Sequence, residues 1–255
     1  MASKNIGYGG WICDLPDHRD LPYFPSNELL QKLPSRIDLS EQCPPVYDQG
    51  SLRSCTANAI AAAIEFERKK QNLSSLMPSR LFIYYNEREI EGTVNIDNGA
   101  QIRHGIKSVA KQGWCPEGEW PYDITKFAVK PPPACYQNAI KEKVIKYSRL
   151  KHDLNHMKSS LASGQPFVFG LVIYESFLTL EVARTGIVPV PEKSEKPHGG
   201  HAMLAVGYDD SQQSFIARSS SSSKWGIKGY CMMPYSYLTN SNLADDFWQI
   251  KLVSE

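Results

Sequence analysis

The sequence predicts an α+β protein, because helical patterns fill its first half, apolar strand-like runs fill its second, and a Pro131-Pro132-Pro133 step separates the two. The first 35 residues or so are rich in turns. Their segment Asp14-Leu15-Pro16-Asp17-His18-Arg19-Asp20 mixes charge and proline without a period, which reads as an arm and not a domain. Cys55 to Asn72 is predicted to be a helix, with Ala59, Ala63 and Phe66, and Ile60 and Ile64, at helical spacing; its small residues suit burial between neighbours. Pro78 to Glu89 and Gln101 to Gln112 predict two further helices around a loop, Asp97-Asn98-Gly99-Ala100. In the second half a helix near Leu154 to Ala162 precedes the apolar run Pro166 to Tyr174. Strands are expected there and at His201–Tyr208, Ser214–Arg218 and Gly229–Met233. Helices first and strands later predict two lobes, with ligands bound between them.

Bulk composition excludes several classes of partner. Lys and Arg number 28 against 27 Asp and Glu, so no whole-chain field gathers nucleic acid or an anionic membrane. The N-terminal ten residues lack the apolar core of a secretory signal, and Pro166–Tyr174 is too short to span a bilayer. The six cysteines, Cys13, Cys43, Cys55, Cys115, Cys135 and Cys231, are scattered without the close pairs of a zinc site or a disulfide scaffold. No metal or cofactor is expected, and five of the six are expected as small buried apolar side chains.

Cys55 is the exception. It opens an alanine-rich helix, where unpaired N–H groups and the helix dipole favour a thiolate. Gln49 lies upstream in Asp48-Gln49-Gly50-Ser51-Leu52-Arg53-Ser54-Cys55, so its amide and the Cys55 N–H can form a two-donor oxyanion hole. Far downstream, Gly199-Gly200-His201-Ala202 supplies an imidazole that can act as base. At these residues the chain resembles the papain-like cysteine peptidases. The Gln-x5-Cys spacing, the Gly-His-Ala step before an apolar strand ending Val206-Gly207-Tyr208, and the late Lys224-Trp225-Gly226-Ile227-Lys228-Gly229-Tyr230 follow in order from about Pro34 onward. Asp48-Gln49-Gly50 with Cys-Thr-Ala-Asn resembles the microbial branch.

The resemblance implies a helical lobe (residues about 45–130) and a β-barrel-like lobe (about 131–255) within a domain from residue 36, with residues 1–35 in the position of a propeptide. A strap packed on the body is the competing reading of that arm. It also implies Cys55 as nucleophile, His201 as base, Gln49 in the oxyanion hole, and Arg53, Ser54, Asn98, Gly99, Gly200 and Trp225 along the substrate cleft. Secreted relatives carry a cysteine where this chain has Leu52, and its loss points to a reducing, cytoplasmic compartment.

Two positions depart from the family pattern. Relatives read Arg-Asn-Ser-Trp-Gly where this chain has Arg218-Ser219-Ser220-Ser221-Ser222-Ser223-Lys224-Trp225-Gly226, so Ser219 stands for the asparagine that orients the histidine and Ser221 for a shielding tryptophan. Arg53 replaces a glycine, so its guanidinium either narrows a substrate pocket or turns to solvent. The expected activity is peptide-bond hydrolysis on peptide or protein substrates. A peptide-binding protein without turnover, and an acyl transferase or ligase, are the alternatives these departures leave open.

Overall fold

In the computed structural model, residues 8–254 are described. After α1 (Asn27–Gln31) and β1 (Arg36–Asp38), one lobe is built on α2 (Cys55–Lys70), α3 (Arg80–Glu91), α4 (Ile102–Lys111) and α5 (Pro133–Ala139). The other is an antiparallel sheet of β2 (Val144–Arg149), β3 (Phe167–Tyr174), β4 (Pro197–Asp209), β5 (Ser214–Arg218), β6 (Tyr230–Pro234) and β7 (Ala244–Val253). Its spatial order is β2-β7-β3-β4-β5-β6, with β1 added to β4. The helices α6 (Leu154–Ala162), α7 (Leu180–Thr185) and α8 (Tyr235–Leu238) flank it.

Helix α2 is central because its sequence suits no surface. Ala57, Ala61, Ala62, Ile60 and Ile64 are all fully buried, and a helix apolar on every side must have neighbours on every side. It packs on α3 and α4 in its own lobe and on β4 and β7 in the other. Its first residue, Cys55, therefore lies where the lobes meet. The expected helices and strands occur with ends shifted by a residue or two, except that β4 starts four residues before His201. Strand β7 was not expected, since Phe247, Trp248 and Ile250 are all buried and a strand covered on both faces lacks alternation. Helix α5 was also unexpected; a proline in its first turn starts it, and Cys135 and Ala139 pack against Phe82 of α3. No helix among the described residues is long and apolar enough to cross a membrane.

The arm is held along much of its length. Asp14 N–H donates to Asp246 Oδ2 (2.8 Å), Trp248 Nε1 donates to Asp14 Oδ2 (3.1 Å), and Arg103 and Arg149 both donate to Asp20. Backbone bonds join Tyr23 N to Arg149 O (2.8 Å) and Arg149 N to Leu21 O (2.7 Å). Residues 14–23 thus form a strap, while the expectations for residues 1–7 lie outside the described residues. His156 packs edge-on to Tyr23 of the strap (6.2 Å), and His152 packs on Phe247 (5.0 Å).

Candidate active site

Cys55 and His201 are brought together at the lobe junction, both fully buried. The backbone N–H groups of Ala202, the residue after His201, and of Thr56 and Cys55 itself favour the thiolate. Burial nonetheless dominates and pushes the thiol up to about 12, and burial alone pushes His201 down to about 3. Both groups are held neutral. Neither ring nitrogen of His201 has a hydrogen-bond partner among the described residues.

Gln49 is also fully buried, and its amide is fixed at both ends. Nε2 donates to Leu52 O (2.9 Å), and Oε1 accepts from the Ser220 hydroxyl. The backbones match, since Gln49 N donates to Ser220 O (2.9 Å). Ser220, which the sequence reading did not single out, thus ties the glutamine loop to the serine run across the lobes. Ser219 does not reach His201; its hydroxyl is paired with that of Ser221 (2.8 Å).

What buries the pair is the arm. Gly9 N donates to Gly200 O (2.8 Å), Ala100 N donates to Gly10 O (2.9 Å), and Ile12 N donates to Ala100 O (3.0 Å), so the backbone from Gly9 to Ile12 bonds to both walls of the cleft. Gly10 lies over the nucleophile: a Cβ built on it would stand 2.8 Å from Cys55 Sγ. The Tyr8 ring meets His201 edge-on (5.2 Å) and Phe177 edge-on (6.0 Å), with Ser221 beside its hydroxyl. Tyr8 thereby fills the space beside the histidine that Ser221 leaves open. The sequence signal for this segment was its Gly9-Gly10 pair between Tyr8 and Trp11, the smallest backbone flanked by two rings.

The expected cleft residues separate into two groups. Gly99 and Gly200 line it, for a Cβ on Gly99 would stand 2.3 Å from Gly10 O and one on Gly200 2.3 Å from Trp11 O. Gly99 also has φ +85, which glycine adopts without strain. Arg53 is exposed on the rim with its guanidinium beside Gly9, so it turns along the cleft edge and not into the protein. The others are set back. The Asn98 side-chain amide lies 3.3 Å from the carbonyls of Ile96 and Gly99, to which its nitrogen donates once the amide is rotated to face them, and it is Ala100 that bonds the arm backbone. The Ser54 hydroxyl is engaged by Tyr122 and by Asn58 Nδ2 (3.0 Å), which makes it a support for the start of α2. Trp225 stacks on Phe177 (5.7 Å) and backs the ring that Tyr8 touches.

This fold and site have counterparts in known proteins. Residues 33–247 match the papain family cysteine protease domain. A peptidase C1-like protein of Acanthamoeba polyphaga mimivirus is 49% identical over 278 residues, covering 99% of this chain and 88% of that one. The crystal structure of xylellain, a cysteine protease from Xylella fastidiosa, is 46% identical, covers 98% of each chain and superposes with a TM-score of 0.89. Procathepsin B S9 from Trypanosoma congolense, 17% identical over 99% of this chain and 88% of its own, shares the fold with a TM-score of 0.75. Matched across most of its length by this domain and nearly end to end by these relatives, the chain belongs to the papain family of cysteine proteases.

Proposed function

We propose that the protein is a cysteine endopeptidase in which Cys55 is the nucleophile, His201 the base and then the acid, and Gln49 Nε2 with the Cys55 N–H the oxyanion hole, and that Tyr8–Trp11 hold it inactive. The observation that carries this reading is the arm backbone, hydrogen-bonded to Ala100 and Gly200 directly over Cys55 in the manner of a bound peptide. With the arm displaced, His201 takes the thiol proton and the sulfur attacks a peptide carbonyl carbon, moving an electron pair onto oxygen. The two N–H donors stabilise that charge. The imidazolium then gives its proton to the leaving amine as the C–N bond breaks. Water, deprotonated by His201, releases the acid from the thioester and restores the thiol. Arg53 at the rim favours acidic or small side chains near the scissile bond.

The unpartnered His201 favours a second reading, a papain-fold protein that binds peptides without turning them over. The test is a chain trimmed to begin at Ile12, which keeps the strap and removes the occupant, incubated with a peptide library and read by mass spectrometry. Cleaved products absent from the Cys55→Ala control support the peptidase. Amine adducts would indicate acyl transfer, and bound but intact peptides would establish the second reading.

Ser220→Ala in the trimmed chain is expected to lower kcat about 10-fold with little change in KM, because the hydroxyl that holds the Gln49 amide serves the oxyanion more than the ground state. Unchanged kcat with a lowered Tm would make Ser220 merely structural.

The arm's closure is expected to weaken in acid. His201 is held down to about 3 in the closed form and returns to about 6.5 when exposed, so closure is stabilised above about 6.5 and loses that stabilisation as pH falls toward 3. At pH 5 the open fraction should rise about 30-fold over pH 7.5. Asp246, pushed up to about 7 by burial and by Asp14, opposes this when Trp11 Nε1 leaves its carboxylate, and Asp246→Asn isolates the histidine. The measurement is the ratio of thiol-epoxide labelling rates for full and trimmed chains; a ratio flat from pH 5 to 8 in both backgrounds would contradict it.

A further inference from the structure

Two cysteines distant in sequence meet behind α3. Cys115 follows α4 and Cys135 sits in the first turn of α5. Both are buried and packed with Phe82 and Ala139, and the Cys135 thiol donates to Glu119 O (3.8 Å). The exposed Glu119 brings a carboxylate to the same spot, so that the two sulfurs and a carboxylate oxygen all lie within 4.8 Å of one another. Two thiolates on one tetrahedral ion, each bonded at about 2.3 Å, stand about 3.8 Å apart. The three donors therefore need to close by only about 1 Å.

We propose that Cys115, Cys135 and Glu119 bind a thiophilic divalent ion of the zinc class, with solvent in the fourth position. The charge balance favours it. Binding one dication releases the two thiol protons to solvent, so two neutral thiols and a carboxylate become a bis-thiolate carboxylate complex with the same net charge. No net charge is added to an apolar pocket. Trp120, packed against the same cluster, has a buried indole Nε1 with no acceptor, a donor that a metal-bound oxygen or thiolate would satisfy. Another group of potential ligands, Cys13, Asp245 and Asp246, is more heavily engaged: Asp246 accepts from Trp11, Asp14 and Arg149, whereas Glu119 accepts from Asn138 Nδ2 on Oε1.

An ion here would act on the wall behind the oxyanion loop. The segment between the two cysteines carries Glu117, paired with Arg80 (2.6 Å), and Tyr122, whose hydroxyl donates to Gln49 O (3.0 Å). Fixing Cys115 and Glu119 to α5 holds that segment in place. The role is structural, and it stands whether or not the peptidase reading does.

The test uses the full chain carrying Cys55→Ala, which removes the reactive thiol beside His201, reduced and freed of metal. Titration with Co²⁺ is expected to give a thiolate-to-metal absorption band saturating at about one equivalent, Zn²⁺ is expected to displace the cobalt and raise Tm, and mass spectrometry should show Zn²⁺ protecting Cys115 and Cys135 from alkylation. Cys115→Ser and Cys135→Ser should each lose the band, while Glu119→Gln should keep it with about 10-fold weaker binding. A folded parent protein that shows neither band nor alkylation protection in excess metal overturns the site, as does a band surviving in both serine variants. A disulfide between the two sulfurs, with no cobalt taken up by the reduced protein, would replace the metal site with a redox pair.

Discussion

Gly10→Ala is expected to speed labelling of Cys55 by a thiol-directed epoxide about 5- to 150-fold, the equivalent of about 1–3 kcal/mol of overpacking in the closed form. The added methyl would stand 2.3 Å from Arg53 O, 2.7 Å from Arg53 C and 2.8 Å from Cys55 Sγ. Two of these atoms are backbone at the start of α2 and cannot swing aside. Nor can the arm retreat across the cleft, because its Gly10 carbonyl already fills the space a side chain would need on Gly99. The strain is relieved only by lifting residues 8–11 out, which exposes Cys55 and His201 together. Gly118→Ala, where the new Cβ meets nothing within 4 Å, is the neutral control. The trimmed chain sets the upper limit of the labelling rate, and Gly10→Ala should approach it without exceeding it. A folded Gly10→Ala protein that labels no faster than the parent would remove the arm from any inhibitory role.

Much of this was legible in the sequence where a local rule sufficed. Helix α2 announced itself through alanine and isoleucine spacing, and Cys55, Gln49 and His201 through motif order; all three are fully buried. Contacts that depend on remote packing were not legible. The arm could be recognised by position, yet nothing in its residues separated strap from occupant, and it turned out to contain both in consecutive segments. Cys115 and Cys135 looked unrelated because the chain between them loops out and returns through a proline-started helix. Ser220 was hidden in a run of identical residues whose members have different partners: Ser219 and Ser221 pair with each other, and Ser220 alone turns to Gln49. Ser221 made sense only beside Tyr8, which lies at the other end of the chain.

The same serines are expected to set the ceiling on activity once the arm is gone. In the trimmed chain Ser219→Asn is expected to raise kcat about 5-fold, and Ser219→Asn with Ser221→Trp by about 30-fold or more, with KM changing little in both. The reason is the orphaned ring of His201. Its nitrogens have no partner among the described residues, so none of these selects the tautomer that leaves Nε2 free to take the thiol proton or steadies the imidazolium that forms. An amide oxygen reaching Nδ1 restores both functions. Exposed to water, that bond is worth about 1 kcal/mol, or about 5-fold; sheltered and made to a charged ring it is worth about 2 kcal/mol or more, or about 30-fold. The shelter must come from position 221 because the ring now covering His201 belongs to Tyr8 and leaves with the arm. For the same reason the double variant in the full chain should also weaken closure, since a tryptophan at 221 competes with Tyr8 for one space. Because orientation of the base matters in the transition state and little in substrate binding, the gain belongs to kcat. If the trimmed double variant folds, binds peptides and still yields no cleaved product, even with Arg53→Gly to open the rim, the serine run is not what limits turnover and the binding-protein reading replaces the peptidase.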